Sequence, residues 1–106
     1  MRILFDQGTP APLRHALAGQ TVATAYEMGW ADLANGDLLN AAEAQLFDAL
    51  VTTDKNLRYQ QNLTGRKIAI FVLPCASWPR LQPHTPALAK AIGALSPGDF
   101  VEWSLP

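Results

Sequence analysis

The apolar residues of this chain come in short runs, and two of those runs stop at an aspartate. Residues 3–5 precede Asp6, and residues 50–53 precede Asp54. Short apolar runs bounded by turn residues are typical of strands that are buried on both faces of a parallel sheet. We therefore predict two buried strands, each with a carboxylate at its carboxyl end.

Three further segments carry strand patterns. Residues 20–26 are rich in β-branched and small side chains, residues 68–73 are apolar throughout, and residues 100–105 alternate between apolar and polar. The pattern of residues 68–73 predicts a central strand, and that of residues 100–105 predicts a half-exposed edge strand. Exposed edges invite pairing, so this last strand, which carries Trp103 and Leu105, is also a candidate surface for a homodimer.

The first helical segment is predicted from its end signals. Thr9 is placed to act as N-cap, and Pro10 suits the first helical position. The helix is expected to run to about Ala18, and Gly19 is its stop signal. Further along the chain, a short turn of helix is predicted near Pro79.

Two longer helices are predicted from the spacing of their apolar residues. One runs from Asp37 to about Ala49, and the other begins at Thr85. Their predicted buried faces consist of Leu39, Ala42, Leu46, Ala49 and Leu50 in the first and Leu88, Ala91, Ile92 and Leu95 in the second. Residues 27–36 are expected to form a loop with about one helical turn, and residues 56–62 a short helical turn.

The order of these elements predicts the fold class. Strands that alternate with helices indicate a mostly parallel five-stranded sheet with helices on both faces, a three-layer α/β/α sandwich. Right-handed crossovers and short connections favour the first strand lying between the second and the third. This order creates a switch point between strands one and three, where open α/β sheets bind their ligands. Asp6 and Asp54 are expected to flank that point.

Composition and charge narrow the possible classes of protein. The chain has 106 residues, about half of them hydrophobic, so residues 1–106 are predicted to form a single domain. Proteins that bind nucleic acids stably usually carry a basic charge, whereas the net charge of this chain is −1. This charge weakens the case for nucleic-acid binding but does not exclude it. The single cysteine, Cys75, excludes a disulfide framework and fits a reducing, cytoplasmic setting. No apolar run is long enough to span a bilayer, so no membrane association is expected.

The two strand-end aspartates are the first candidates for chemistry. Neighbouring strands lie about 4.8 Å apart, and carboxylates that close repel each other unless a cation or a base neutralises them. Mg²⁺ or Mn²⁺ relieves this repulsion, because hard ions prefer oxygen ligands. Asp37 is a third candidate, since it begins the helix that leads into the third strand. The alternatives are turn residues at Asp6 and Asp54 and an ordinary N-cap at Asp37.

Four more residues are candidates for supporting roles. Asn40 lies one turn further along the same helix as the third aspartate, and the Thr52 hydroxyl can brace Asp54. Lys55 and Arg58 are candidates for contact with a phosphate. For both cations, a solvated surface position is the plainer interpretation.

Three motifs along the chain resemble those of the PIN-like domains, in particular a short bacterial PIN-like family of about this length. The family opens with a strand that ends Asp-Glu-x-x-Pro, and residues 6–10 read Asp-Gln-Gly-Thr-Pro. A glycine-bearing loop and an aspartate that starts a helix follow, matched by Gly29 and Asp37. The third motif, Thr-x-Asp-x-Asp-Phe, is Thr-Thr-Asp-Lys-Asn-Leu at residues 52–57. The similarity covers most of the chain, and the order of the motifs is more specific than any one of them.

The resemblance implies an acidic site that binds Mg²⁺ or Mn²⁺ and cleaves RNA, with Asp6, Asp37 and Asp54 as ligands. It also implies an antitoxin protein as a possible partner, because many PIN domains are toxins of toxin–antitoxin pairs. Gln7 and Asn56 stand where the family has second acids, so these amides are expected beside the metal ligands. Three carboxylates can hold one ion with several waters, whereas two ions would be poorly supported.

Three functions therefore remain open. The first is a metal-dependent ribonuclease, and the second is a PIN-like domain without catalysis that acts through RNA or protein contacts. The amides at Gln7 and Asn56 favour the second function. The third is a receiver-type phosphoacceptor, which also sets aspartates at the ends of its first and third strands. That class needs a lysine after the last strand, and residues 104–106 contain none.

Overall fold

The five predicted strands form one sheet in which all neighbouring strands run parallel. A computed structural model describes residues 1–60 and 62–106. The strands are β1 (Arg2–Phe5), β2 (Thr21–Thr24), β3 (Ala49–Thr52), β4 (Ala69–Val72) and β5 (Phe100–Glu102). Their order across the sheet is β2-β1-β3-β4-β5, which confirms the predicted position of the first strand.

Four α-helices and two short 3₁₀-helices connect the strands in these two ranges. The α-helices are α1 (Asn35–Ala44), α2 (Leu57–Gln60), α3 (Trp78–Leu81) and α4 (Thr85–Gly93), and the 3₁₀-helices are Ala11–Ala16 and Gln82–His84. The predicted start of the last helix and the predicted turn near Pro79 are confirmed. Within the same ranges, no helix has the length and apolar character needed to cross a membrane.

The alternation of side chains along the strands divides the core into two layers. Ile3 and Phe5 of β1 face one apolar cluster, which the first 3₁₀-helix, α3 and α4 cover. Leu4 faces the other cluster, which α1 and α2 cover. All three side chains are fully buried, and full burial of a side chain of this size contributes about 1.5–3 kcal/mol. The three-layer α/β/α sandwich is therefore confirmed.

The chain changes its direction of winding between β1 and β3. From β1 it passes through the first 3₁₀-helix to β2, and α1 then carries it back past β1 to β3. After that, β4 and β5 add on the same side as β3. In sheets of this kind, the ligand crevice opens beyond the carboxyl ends of the two strands at the reversal.

The first helix is tighter and shorter than predicted. The structure has a 3₁₀-helix over Ala11–Ala16 where the sequence predicts a longer regular helix with Thr9 as its N-cap. Leu13 N donates to Pro10 O at 3.2 Å, which is the i→i−3 bond of a 3₁₀ turn. The N-cap prediction is wrong, because the Thr9 hydroxyl bonds to the Asp6 carboxylate instead.

Helix α1 begins and ends earlier than the sequence predicts. It starts at Asn35 rather than Asp37 and ends at Ala44 rather than Ala49. Leu46 lies beyond the helix with a φ of 61°, a left-handed conformation that ends the helical path. Its predicted burial is wrong, since 80% of the residue is exposed. The apolar pattern misleads here because helix and strand follow each other with no glycine or proline between them.

The end of α1 is a Schellman motif with a leucine where glycine is usual. Phe47 N donates to Ala42 O at 2.9 Å, and Leu46 N donates to Glu43 O at 3.0 Å. These bonds satisfy carbonyl groups that the helix end would otherwise leave unpaired. The left-handed conformation costs a residue with a side chain about 1–2 kcal/mol. The motif therefore holds an exposed leucine in a backbone conformation that suits glycine.

The remaining elements lie where predicted but are shorter. β2, β4 and β5 each occupy part of the predicted segment. β5 forms one edge of the sheet, and Trp103 beyond it is half-buried against the core. The helical turn expected over residues 56–62 is present as α2, and residue 61 of that segment lies outside the described residues.

Candidate functional site

Asp6 and Asp54 follow two neighbouring strands, β1 and β3, at the switch point of the sheet. Asp6 N donates to Val51 O at 3.1 Å, so the ladder between these strands extends to the first aspartate. Both aspartates are half-buried. Parallel pairing therefore places both residues at the same edge of the sheet.

The hydroxyl of Thr52 links the two aspartates. It donates to Asp6 Oδ2, and it accepts a hydrogen bond of 3.1 Å from Asp54 N. Thr52 is only 1% exposed, so its hydroxyl depends on these two partners rather than on water. A hydroxyl has one proton to donate and lone pairs that accept. One buried group thus fixes the position of one carboxylate and the start of the turn that carries the other.

Thr9 is a second hydroxyl at the site, and the sequence did not indicate it. Thr9 Oγ1 lies 2.8 Å from both Asp6 Oδ1 and Val51 O, and the residue is 7% exposed. Thr9 N donates to Asp6 O at 3.1 Å, so the chain turns back on itself after β1. The spacing of three residues between Asp6 and Thr9 is compatible with such a turn, but it suits an N-cap equally well. Both oxygens of the Asp6 carboxylate thus contact a threonine hydroxyl.

The Asp54 carboxylate is held from two directions. Its Oδ1 accepts from Asn56 N at 2.9 Å, which closes a turn over residues 54–56. Its Oδ2 accepts from Asn35 Nδ2 at 2.7 Å. Asn35 is the first residue of α1, whereas the sequence predicted it within the loop over residues 27–36. The helix that bridges the switch point therefore contributes an amide, rather than its aspartate, to this contact.

Asp37 and Asn40 are exposed residues of α1. Asp37 lies in the first turn, where its charge complements the helix dipole. Across residues 1–60 and 62–106, no three His, Cys, Asp or Glu side chains form a group that could hold a metal ion. The predicted cluster of three carboxylates is therefore not assembled in this structure.

The two predicted phosphate contacts differ in their surroundings. Lys55 is exposed in the turn that follows Asp54. Arg58 Nη1 is 2.6 Å from Glu102 Oε1, and its guanidinium lies 5.2 Å from the centre of the Tyr59 ring. Arg58 is therefore directed toward β5 by an ion pair, while Lys55 is an exposed cation that directly follows Asp54 in the chain.

A small cavity of about 180 Å³ opens beside Asp6. Gln7 and Gly8 line it from the turn after β1, and Asn35 lines it from α1. Gln7 is an exposed residue. The cavity is thus lined by the carboxylate of Asp6 and by two amide residues, Gln7 and Asn35, and each of these side chains carries an oxygen that can bind a cation.

The oxygens of Asp6 and Asp54 suit one hard cation. Each of the four carboxylate oxygens accepts a hydrogen bond from the protein and has lone-pair capacity left. The ion pairs of the described residues are Arg14–Glu27, Arg58–Glu102 and Arg66–Glu43, and none involves these carboxylates. Mg²⁺ is usually bound through one or two carboxylates and keeps several waters. The carboxylate oxygens are therefore of the chemical kind that Mg²⁺ or Mn²⁺ binds.

The chain matches no family model, no curated protein and no solved structure. The resemblance to PIN-like domains rests on three sequence motifs and stays a prediction. The α/β/α fold and the arrangement around Asp6 and Asp54 come from the structure itself.

Proposed function

We propose that this protein is a ribonuclease that depends on Mg²⁺ or Mn²⁺ and holds a single ion between Asp6 and Asp54. The supporting observation is the pair of carboxylates at the ends of adjacent parallel strands, linked through the Thr52 hydroxyl. The resemblance of the motifs to PIN-like domains adds RNA as the substrate class.

In this proposal each side chain at the site has a separate task. Asp6 and Asp54 bind the ion through oxygen lone pairs that protein donors leave available. Thr9 and Thr52 orient the first carboxylate, and Asn35 orients the second. When bound, the ion supplies positive charge beside the scissile phosphate and acidifies a water molecule. Lys55, exposed in the turn after Asp54, contacts the phosphate of the substrate in this proposal.

A second candidate is a domain that binds RNA or a protein partner, such as an antitoxin, without cleaving RNA. The observation that favours it is the set of neutral side chains around the two aspartates. Gln7 and Asn56 are amides, and Asp37 does not join the group within the described residues. Two carboxylates alone would bind an ion weakly, and activity would then be low or absent.

Titration with Mn²⁺ tests the proposal. The wild type should bind one ion in calorimetry, and the paramagnetic ion should broaden the amide resonances around Asp6 and Asp54. Asp6→Asn and Asp54→Asn should each weaken binding by more than about tenfold, because each removes a charged ligand. RNA cleavage by the wild type should be lost in both variants.

Asp48→Asn is the matched control. Asp48 precedes β3 at the opposite end of the sheet, where its Oδ2 accepts from Arg2 N at 2.7 Å. This variant should bind Mn²⁺ and cleave RNA like the wild type. Absence of broadening near Asp6 and Asp54 would overturn the proposal, whereas binding of Mn²⁺ and RNA without cleavage would favour the second candidate.

A further inference from the structure

A larger cavity, of about 530 Å³, opens at the amino ends of the strands, opposite to Asp6 and Asp54. Cavities of this size accommodate a drug-sized ligand, and hence also several side chains of a protein partner. The apolar part of the lining consists of Met1, Leu46, Phe47, Ile68, Leu95 and Pro97. The polar lining includes Asp48 and Lys67. We call this cavity and its rim the amino-end face.

Leu46 on the rim combines two unfavourable features. It is 80% exposed, and its φ of 61° is a conformation that glycine adopts without strain. Strained backbone persists mainly where the side chain or the local geometry has a task. Contacts with another molecule would bury this leucine, which the monomer leaves in water.

The charges on the amino-end face complement each other. Glu43 is paired with Arg66, so its charge is already compensated. Asp48 and Lys67 are both exposed, and neither takes part in the three ion pairs of the described residues. Arg2 adds a second base, with its guanidinium 4.3 Å from the centre of the Phe47 ring. Charges of both signs on the same face allow two copies to meet with acids against bases.

We propose that the amino-end face is the contact surface of a two-fold symmetric homodimer. Leu46 of each copy enters the cavity of the other copy, and Lys67 of each copy meets Asp48 of the other. A two-fold interface requires one surface that carries both a protruding group and the hollow that receives it. The amino-end face carries both, together with charges of opposite sign. The proposal is independent of the aspartate site, which lies at the other end of the sheet.

Sedimentation velocity of the full chain over a range of concentrations tests the dimer. The wild type should show a concentration-dependent equilibrium between monomer and dimer. Leu46→Asn and Leu46→Gly should raise the dissociation constant by roughly tenfold or more, as truncation of a central interface residue does. Both replacements tolerate the left-handed backbone. At concentrations where the wild type and Leu46→Gly are both monomeric, Leu46→Gly should melt at a higher temperature than the wild type. Weaker association would then not reflect a misfolded chain.

A charge exchange tests the second contact. Lys67→Glu should weaken the dimer, because two acids then meet across the axis. Adding Asp48→Lys to that variant should restore association, since the pair is present again with its signs reversed. Tyr26→Asn is the matched control: Tyr26 is 79% exposed but follows β2 at the carboxyl end of the sheet. This variant should associate like the wild type.

Two results would overturn the proposal. One is a dimer that persists unchanged in Leu46→Asn, which would move the interface to another surface such as the β5 edge. The other is a wild type that stays monomeric at all concentrations. If that monomer enhances the fluorescence of the apolar dye ANS and Leu46→Asn abolishes the effect, the cavity is a site for a small apolar ligand instead.

Discussion

At the scale of single residues, the buried hydroxyl of Thr52 links the two strand-end aspartates. Thr52→Val has the same shape but neither donates to Asp6 nor accepts from Asp54 N. We expect the free energy of unfolding to fall by about 1–3 kcal/mol, the cost of leaving a buried polar group unsatisfied. Urea denaturation measures this loss. As the control, Thr52→Ser keeps the hydroxyl and should preserve the amide chemical shift of Asp54. A Thr52→Val protein as stable as the wild type would contradict the prediction.

Only part of the site could be predicted from the sequence. Asp6 and Asp54 were predictable because parallel strands bring their carboxyl ends to one edge. Thr9 and Asn35 were not, because each suits a common local role. An N-cap would use the same Thr9 hydroxyl, and a turn the same Asn35 side chain, that contacts an aspartate in the structure. Which partner such a group takes depends on neighbours that are distant in sequence, here Val51 for Thr9 and Asp54 for Asn35.

At the scale of elements, the turn after β1 depends on the absence of a side chain at Gly8. A Cβ at this position would lie 2.7 Å from Thr53 Oγ1, closer than non-bonded atoms pack. Gly8→Ala should lower the free energy of unfolding by about 1 kcal/mol, near the low end of overpacking costs, because Thr53 can rotate about χ1. At Gly93, at the end of α4, no atom of the described residues beyond the neighbouring helix backbone lies within 4 Å of such a Cβ.

The matched variant Gly93→Ala should therefore raise the free energy of unfolding, by up to about 1 kcal/mol, through better helix propensity. Thermal melts of the two variants measure the difference. A loss of stability in Gly93→Ala comparable to that in Gly8→Ala would show that the close approach to Thr53 does not decide the outcome.

The boundaries of the elements were harder to predict than their order. The sheet order followed from the handedness of crossovers, which applies to any right-twisted sheet. The end of α1 did not, since Leu46 continues the apolar period and only its left-handed backbone ends the helix. For the first 3₁₀-helix, Pro10 gave a start signal but could not indicate how tightly the turn winds.

At the scale of the whole molecule, one surface ion pair makes stability depend on pH. Arg14 of the first 3₁₀-helix pairs with Glu27 beyond β2 at 2.5 Å. The hydrogen bond from Arg14, helped by the Thr24 backbone amide, lowers the pKa of Glu27 to about 2 from its usual 4.5. A lowered carboxyl pKa gives stability that is present above about pH 4.5 and is lost as the pH falls toward about 2.

Glu27→Gln should therefore be less stable than the wild type at neutral pH, and the two stabilities should converge near pH 2. Denaturation at several pH values measures this convergence, and carboxyl NMR measures the pKa of Glu27 directly. The effect should be modest and should shrink at high salt, because both side chains are partly exposed. Titration of Glu27 at its ordinary value would contradict the prediction.

The strand order has a consequence for how the chain is made. β2 adds to one side of β1, β3 adds to the other side, and β4 and β5 then extend the sheet outward in turn. No strand has to insert between two that are already paired. On a ribosome, which delivers the N-terminal end first, the sheet can grow at a free edge each time a strand emerges. The two aspartates can come together once residue 54 has left the exit tunnel, before β4 and β5 have emerged from it.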